Sequence, residues 1–171
     1  MNIKKSLLEE HSKALTIKIV NYIGSNSKRY EELIHLFLEQ DEVISQRAAW
    51  PLSYVSIAQT QLAHNYLDKL IFKFNQPNNH ASITRNLLRI FEVIDISDNY
   101  KADVLNSCIN LMLSQESAIA VKAFSITVAT KICKNYPELI TELKLHFATM
   151  QTNPLSPAVR VRIKRALKEL S

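Results

Sequence analysis

Two groups of side chains in this sequence have types and spacings that could do chemistry. The first is Glu32-x-x-His35, within "EELIHLF". Glutamate and histidine three apart share a helix face, and carboxylate-bridged di-iron bundles use that spacing. Such a centre needs the motif twice, with further carboxylates. Here Glu142 and His146 are four apart, the five histidines are scattered, and no His-Glu-x-x-His occurs. No metal and no cofactor is expected. The second group is arginine interleaved with aromatic residues. Positions i, i+3 and i+7 line up on a helix. Such columns are Arg47, Trp50, Tyr54, then Arg85, Leu88, Glu92 with Arg89 one turn from Arg85, then Arg162, Arg165, Glu169. Arginine and aromatic residues are the usual anchors of a binding surface. The alternative for Trp50 and Tyr54 is packing between helices.

A third concentration is "RVRIKRALK", with Arg160, Arg162, Lys164, Arg165 and Lys168. Residues 155–171 hold five basic groups against one acidic, while the other 154 hold sixteen against fifteen. The net charge of +5 therefore belongs mostly to one terminal helix. A helix of that kind can neutralise phosphates, with affinity falling steeply as salt rises. Val159, Ile163, Ala166, Leu167 and Leu170 supply its buried stripe, so a solvated helical cap is the other reading.

The composition excludes much else. Gly24 is the single glycine among 171 residues. Phosphate-cradling loops need several glycines for close backbone approach, so a P-loop and a dinucleotide fingerprint are absent. So is the Gly-x-Ser-x-Gly elbow of serine hydrolases. Tight hairpins need glycine or Asn-Gly at their turns, which argues against sheets. No apolar run reaches the 18 or so residues of a membrane span. Glu9, Glu10 and His11 interrupt any signal-peptide core. Cys108 and Cys133, widely spaced, read as small buried hydrophobes in a reducing cytoplasm. No small-molecule substrate is expected.

What remains is an all-α chain whose helices must position these side chains. Apolar residues recur at helical spacing almost throughout. The pattern predicts a first helix from about Ser6 to Gly24, with Ser6 and Glu9 as a capping box and Gly24 as its stop. Helices follow over about 28–40, from 41 onward, and over about 61–75, 80–95, 98–114, 116–135, 137–150 and 156–170. Pro51 follows Trp50 inside the third, and predicts a kink or break near 47–51. Alternate helices start with a polar residue and carry a basic one six positions on: Asp41/Arg47, Asn79/Arg85, Glu116/Lys122 and Ser156/Arg162. The basic members recur at steps of 38, 37 and 40 residues. Such a period marks repeats whose apolar faces only a neighbour can cover.

The stretch "LIHLFLEQDEVISQRAAWPLSYV" resembles a HEAT-repeat unit: a helix, a tight turn, Asp41, then Arg47 with Ala48 and Ala49 in the second helix. The resemblance extends over about 28–170, with Asn79, Glu116 and Ser156 in place of the aspartate. It implies a right-handed α-α superhelix, a HEAT-like solenoid of about four antiparallel hairpins plus a leading helix. The divisions are 1–26, then 27–60, 61–96, 97–136 and 137–171, in one domain. It also implies that the aspartate caps the second helix and that the arginine reaches the neighbouring repeat's turn. Second helices would line the concave side. The expectation is a non-catalytic, cytoplasmic module that binds another protein through Arg47, Trp50, Tyr54, Arg85, Arg89 and Lys122. The alternatives are nucleic-acid binding through the basic terminal helix and, further off, a HEAT-like DNA glycosylase, which would use Trp50.

Overall fold

The computed structural model describes residues 1–171, and they form eleven helices and no strand. Packing divides the chain into two compact units, Met1–Asp95 and Ile96–Ser171. The first holds α1 (Ile3–Glu9), α2 (Lys13–Ile23), α3 (Ser27–Leu38), α4 (Glu42–Ala58), α5 (Thr60–His64), α6 (Leu67–Phe74) and α7 (Ala81–Val93). The second holds α8 (Asp98–Leu113), α9 (Ile119–Cys133), α10 (Pro137–Gln151) and α11 (Pro157–Glu169).

Each unit is organised around one long helix. In the first, α1, α2, α3, α5 and α7 all pack on α4. In the second, α8, α10 and α11 all pack on α9. These two helices carry small and branched buried residues on most of their surface, including Ala48, Ala49, Leu52 and Val55 on α4 and Ala123, Ile126, Val128 and Ala129 on α9. Small side chains let neighbours approach from several sides, and each helix keeps only a narrow half-exposed stripe. Aromatic residues fill the first core: Tyr30, Phe37 and Phe91 are fully buried, and Phe74 meets Phe91 edge-on at 5.3 Å. The Tyr30 hydroxyl pairs with Ser56 Oγ at 2.8 Å, and burial pushes its pKa up to about 12. Cys108 and Cys133 are both buried and free.

Several helix boundaries follow local chemistry that the apolar pattern conceals. The first expected helix is two. Asn2 caps α1 by accepting from the Lys5 N–H, and Ser12 caps α2 by accepting from the Leu15 N–H. Ser6 is not a cap; its hydroxyl donates to the Asn2 carbonyl. Gly24 does end α2, with a φ of 50° that side chains rarely adopt. A Cβ there would have room, so backbone conformation alone calls for glycine. The expected helix over 61–75 also breaks, at Asn65 and Tyr66, into α5 and α6.

Asp41 caps α4 through the N–H groups of Val43 and Ile44, and Ser156 caps α11 through Val159. The other two polar starts differ from expectation. His80, not Asn79, caps α7. Asn79 instead donates to the Lys73 and Gln76 carbonyls and closes the end of α6. Glu116 lies before α9, whose first turn follows Ala118 without a side-chain cap. The break expected at Pro51 does not occur, since α4 is continuous through it. Ala48, Ala49, Leu52 and Val55 are all buried on both sides of the proline. Their burial outweighs the ~3 kcal/mol that an interior proline costs.

Candidate partner-binding surface

The half-exposed stripe of α4 runs through Arg47, Trp50, Tyr54 and Ile57, at helical spacing. Arg47 is held: its guanidinium donates to the Leu7 carbonyl at 2.8 Å and the Leu8 carbonyl at 3.0 Å. It thereby satisfies carbonyls at the end of α1 that lack intrahelical partners. The arginine thus reaches the end of a neighbouring helix. Trp50 is half-buried, and its ring stands edge-on to His11 at 5.6 Å.

Tyr54 meets the adjacent helix. The Arg89 guanidinium lies 5.0 Å from the Tyr54 ring centre, a cation–π distance. It also reaches Ser53 Oγ at 3.3 Å and Asn86 Oδ1 at 3.4 Å. Below it, Ser53 Oγ and Asn86 Oδ1 are 3.0 Å apart, and Asn86 Nδ2 donates to the Ser82 carbonyl at 2.8 Å. Asn86 and Ser53 are buried, so this network fixes how α7 crosses α4 and holds Arg89 over the ring. Arg85, one turn before Arg89 and half-buried, makes no hydrogen bond, ion pair or ring contact.

The second unit repeats the theme. The stripe of α9 runs through Ala120, Phe124, Thr127 and Lys131. From α11, the Arg162 guanidinium lies 5.0 Å from the Phe124 ring centre and donates to Thr127 Oγ1 at 2.6 Å. A narrow cleft of 110 Å³ opens beside it, lined in part by Thr130, Arg165 and Glu169. Thus Arg89 and Arg162 reach back 36 and 35 residues to a hydroxyl on the preceding long helix, and both lie over an aromatic ring there. Residue types and column spacing point to Arg89, Tyr54 and Arg162. Ser53, Asn86, Phe124 and Thr127 escape that reading, although Phe124 and Thr127 fall on the same kind of column as Trp50 and Tyr54.

Lys122 makes no side-chain hydrogen bond or ion pair, with Glu116 or with any other residue. It belongs to the second unit and sits on the flank of α9, in a cleft with Leu113, Ile119 and Leu155. It does not share a stripe with Phe124 and Thr127. On α11, Arg160 donates to the Leu155 carbonyl at 3.2 Å, whereas Lys164, Arg165 and Lys168 are exposed and have no internal partner. At 100° per residue, Arg160, Lys164, Lys168 and Arg165 span one solvent face, with Arg162 turned toward α9.

Glu32 and His35 are exposed on α3, and no group of three histidine, cysteine or acidic side chains could hold a metal ion. No helix is long and apolar enough to cross a membrane. Among known families, a model for the HEAT repeat domain matches residues 3–170. No curated protein and no solved structure matches the chain.

Proposed function

This chain belongs to the HEAT repeat domain family, and from that premise we propose that it is a non-catalytic module that binds a partner protein on the stripe formed by α4 and α7. HEAT repeats generally mediate protein–protein contacts or scaffolding and are typically non-catalytic. The observation that carries the reading is Arg85, a half-buried guanidinium without an internal partner, one turn from an Arg89 already stacked on Tyr54. A guanidinium offers five donors in a planar fork that matches a carboxylate. The partner therefore presents acidic groups toward Arg85 and Arg89, and apolar or aromatic groups toward Trp50 and Tyr54. Arg47, tied to α1, contributes to the shape of the stripe.

Arg85 also makes the test clean, because replacing it breaks no bond within the fold. Affinity capture with the wild-type chain and with Arg85→Glu is compared by quantitative mass spectrometry. The expected result is loss of the principal partner from the variant, with helix content by circular dichroism unchanged. Equal recovery would overturn the assignment of this surface.

A second reading is favoured by Lys164, Arg165 and Lys168, three exposed cations with no internal partner, next to Arg160. These four would bind a phosphate backbone. Four neutralised phosphates imply that affinity falls about a hundredfold between 50 and 200 mM salt. A fluorescence titration with labelled single- and double-stranded oligonucleotides checks this, and no binding at the lower salt would remove it.

A further inference from the structure

The cleft that holds Lys122 belongs to the second unit. It has a volume of 490 Å³ and opens where the α8–α9 and α10–α11 turns meet the start of α9. Its walls mix aliphatic side chains with the polar Gln115, Ser117, Asn153 and Ser156. Leu113 is 39% exposed and Ile119 is 55% exposed, unusual values for large aliphatic side chains that flank one cleft. Leu155 is half-buried between them, and Met112 and Val159 are buried at its base. Isolated exposed aliphatics need no explanation, but these two flank the same cleft as an unpaired charge.

Lys122 is the only charged residue lining the cleft. It is half-buried and makes no side-chain hydrogen bond or ion pair. No acidic side chain lines the walls; Glu116 is close in sequence but is exposed and outside the lining. The start of α9 adds to the same sign, because no side chain caps its first turn and the helix dipole is positive there. A half-buried ammonium without an internal partner is left to pair with a partner carboxylate, in a charge-assisted hydrogen bond.

We propose that this cleft docks a short segment of a protein partner in which leucine-type side chains are flanked by carboxylates. The aliphatic side chains lie against Leu113, Ile119 and Leu155, and one carboxylate pairs with Lys122. Charge complementarity selects this occupant over a neutral apolar segment and over a basic one.

The test uses the full chain labelled with nitrogen-15 and three peptides: acetyl-Glu-Leu-Leu-Glu-amide, its Gln-Leu-Leu-Gln counterpart and its Lys-Leu-Leu-Lys counterpart. The acidic peptide is expected to give saturable amide shifts at Leu113, Ile119 and Lys122. The glutamine peptide binds about tenfold more weakly, the loss expected when one charge-assisted hydrogen bond goes. Lys122→Glu reverses the order, so that the lysine peptide binds best. Ile119→Ser, at an exposed position that leaves the fold intact, weakens all three peptides on the wild-type charge background. No shift with the acidic peptide would overturn the proposal. So would equal shifts with acidic and glutamine peptides, or an unchanged order in Lys122→Glu.

Discussion

Asn86→Ala gives the sharpest test of how the first unit holds its surface. Asn86 is 2% exposed and makes two short hydrogen bonds, 2.8 Å to the Ser82 carbonyl and 3.0 Å with Ser53 Oγ, plus a longer one at 3.4 Å from Arg89. The two short bonds are worth about 1 kcal/mol each, and the longer one little. The Ser82 carbonyl and the Ser53 hydroxyl keep other partners in α7 and α4, so neither becomes a costly orphan. Alanine returns about 0.5 kcal/mol through better helix propensity, and the small void left by the amide takes a similar amount away. The net loss is therefore about 2 kcal/mol.

Trp50 reports on this loss directly. It is the one tryptophan, it lies on α4, and it belongs to the same unit as Asn86. Urea unfolding followed by tryptophan fluorescence should show a midpoint lower by about 1 M, taking a slope near 2 kcal/mol/M. A cycle with Ser53→Ala should give a coupling of about 1 kcal/mol between the two positions. A midpoint within about 0.3 M of wild type at unchanged slope, or zero coupling, would refute the network as a determinant of the α4–α7 crossing.

Pro51→Ala restores a backbone N–H in mid-helix; the ~3 kcal/mol gained there exceeds the ~2 kcal/mol lost in buried methylenes and unfolded-chain stiffness, so the Trp50-detected midpoint should rise. A fall in that midpoint would contradict the account of α4. The Tyr30 phenol, pushed up to about 12 against 10 in the unfolded chain, stays protonated in the fold after the unfolded chain has ionised. Its contribution is complete below pH 10 and is lost by about 2–3 kcal/mol as pH rises from 10 to 12, which Tyr30→Phe should abolish. Burial raises both cysteine thiols, Cys133 to about 11 and Cys108 further, so at pH 8 neither should react with a thiol reagent until denaturant is added. Rapid labelling of the folded chain would refute that.

Much of the fold was legible because its signals are local. Asp41 and Ser156 lie at the starts of their helices and cap them as their side chains suggest. Pro137 and Pro157 sit in first turns, where a missing N–H costs nothing. The breaks at Glu10–Ser12 and Asn65–Tyr66 were hidden because apolar spacing continues across them: Leu7 and Leu15, or Ala63 and Leu67, still face one core. Asn79 and Glu116 show the limit of a motif read by offset. Asparagine readily caps a helix start and glutamate does not, yet only the path of the chain decides that Asn79 serves the preceding helix end. At the candidate surface, Tyr54 and Arg89 stand out by residue type, but their pairing spans 35 residues. Arg47 spans 39 and 40 residues to its carbonyls, farther than any local pattern reaches.

The central place of α4 also sets the order in which the first unit can assemble. The first three helices end at Leu38, and α1, α2 and α3 all have their main seat on a helix that begins at Glu42 and ends at Ala58. At about 5–20 residues per second, a ribosome needs roughly one to four seconds to add those next twenty residues. During that interval Ile3, Leu7, Ile19, Tyr30, Leu33 and Phe37 lack the main surface they bury against. A nascent chain whose α3 has left the ribosome while α4 has not therefore shows its stickiest face to chaperones, and release from them should coincide with the emergence of α4.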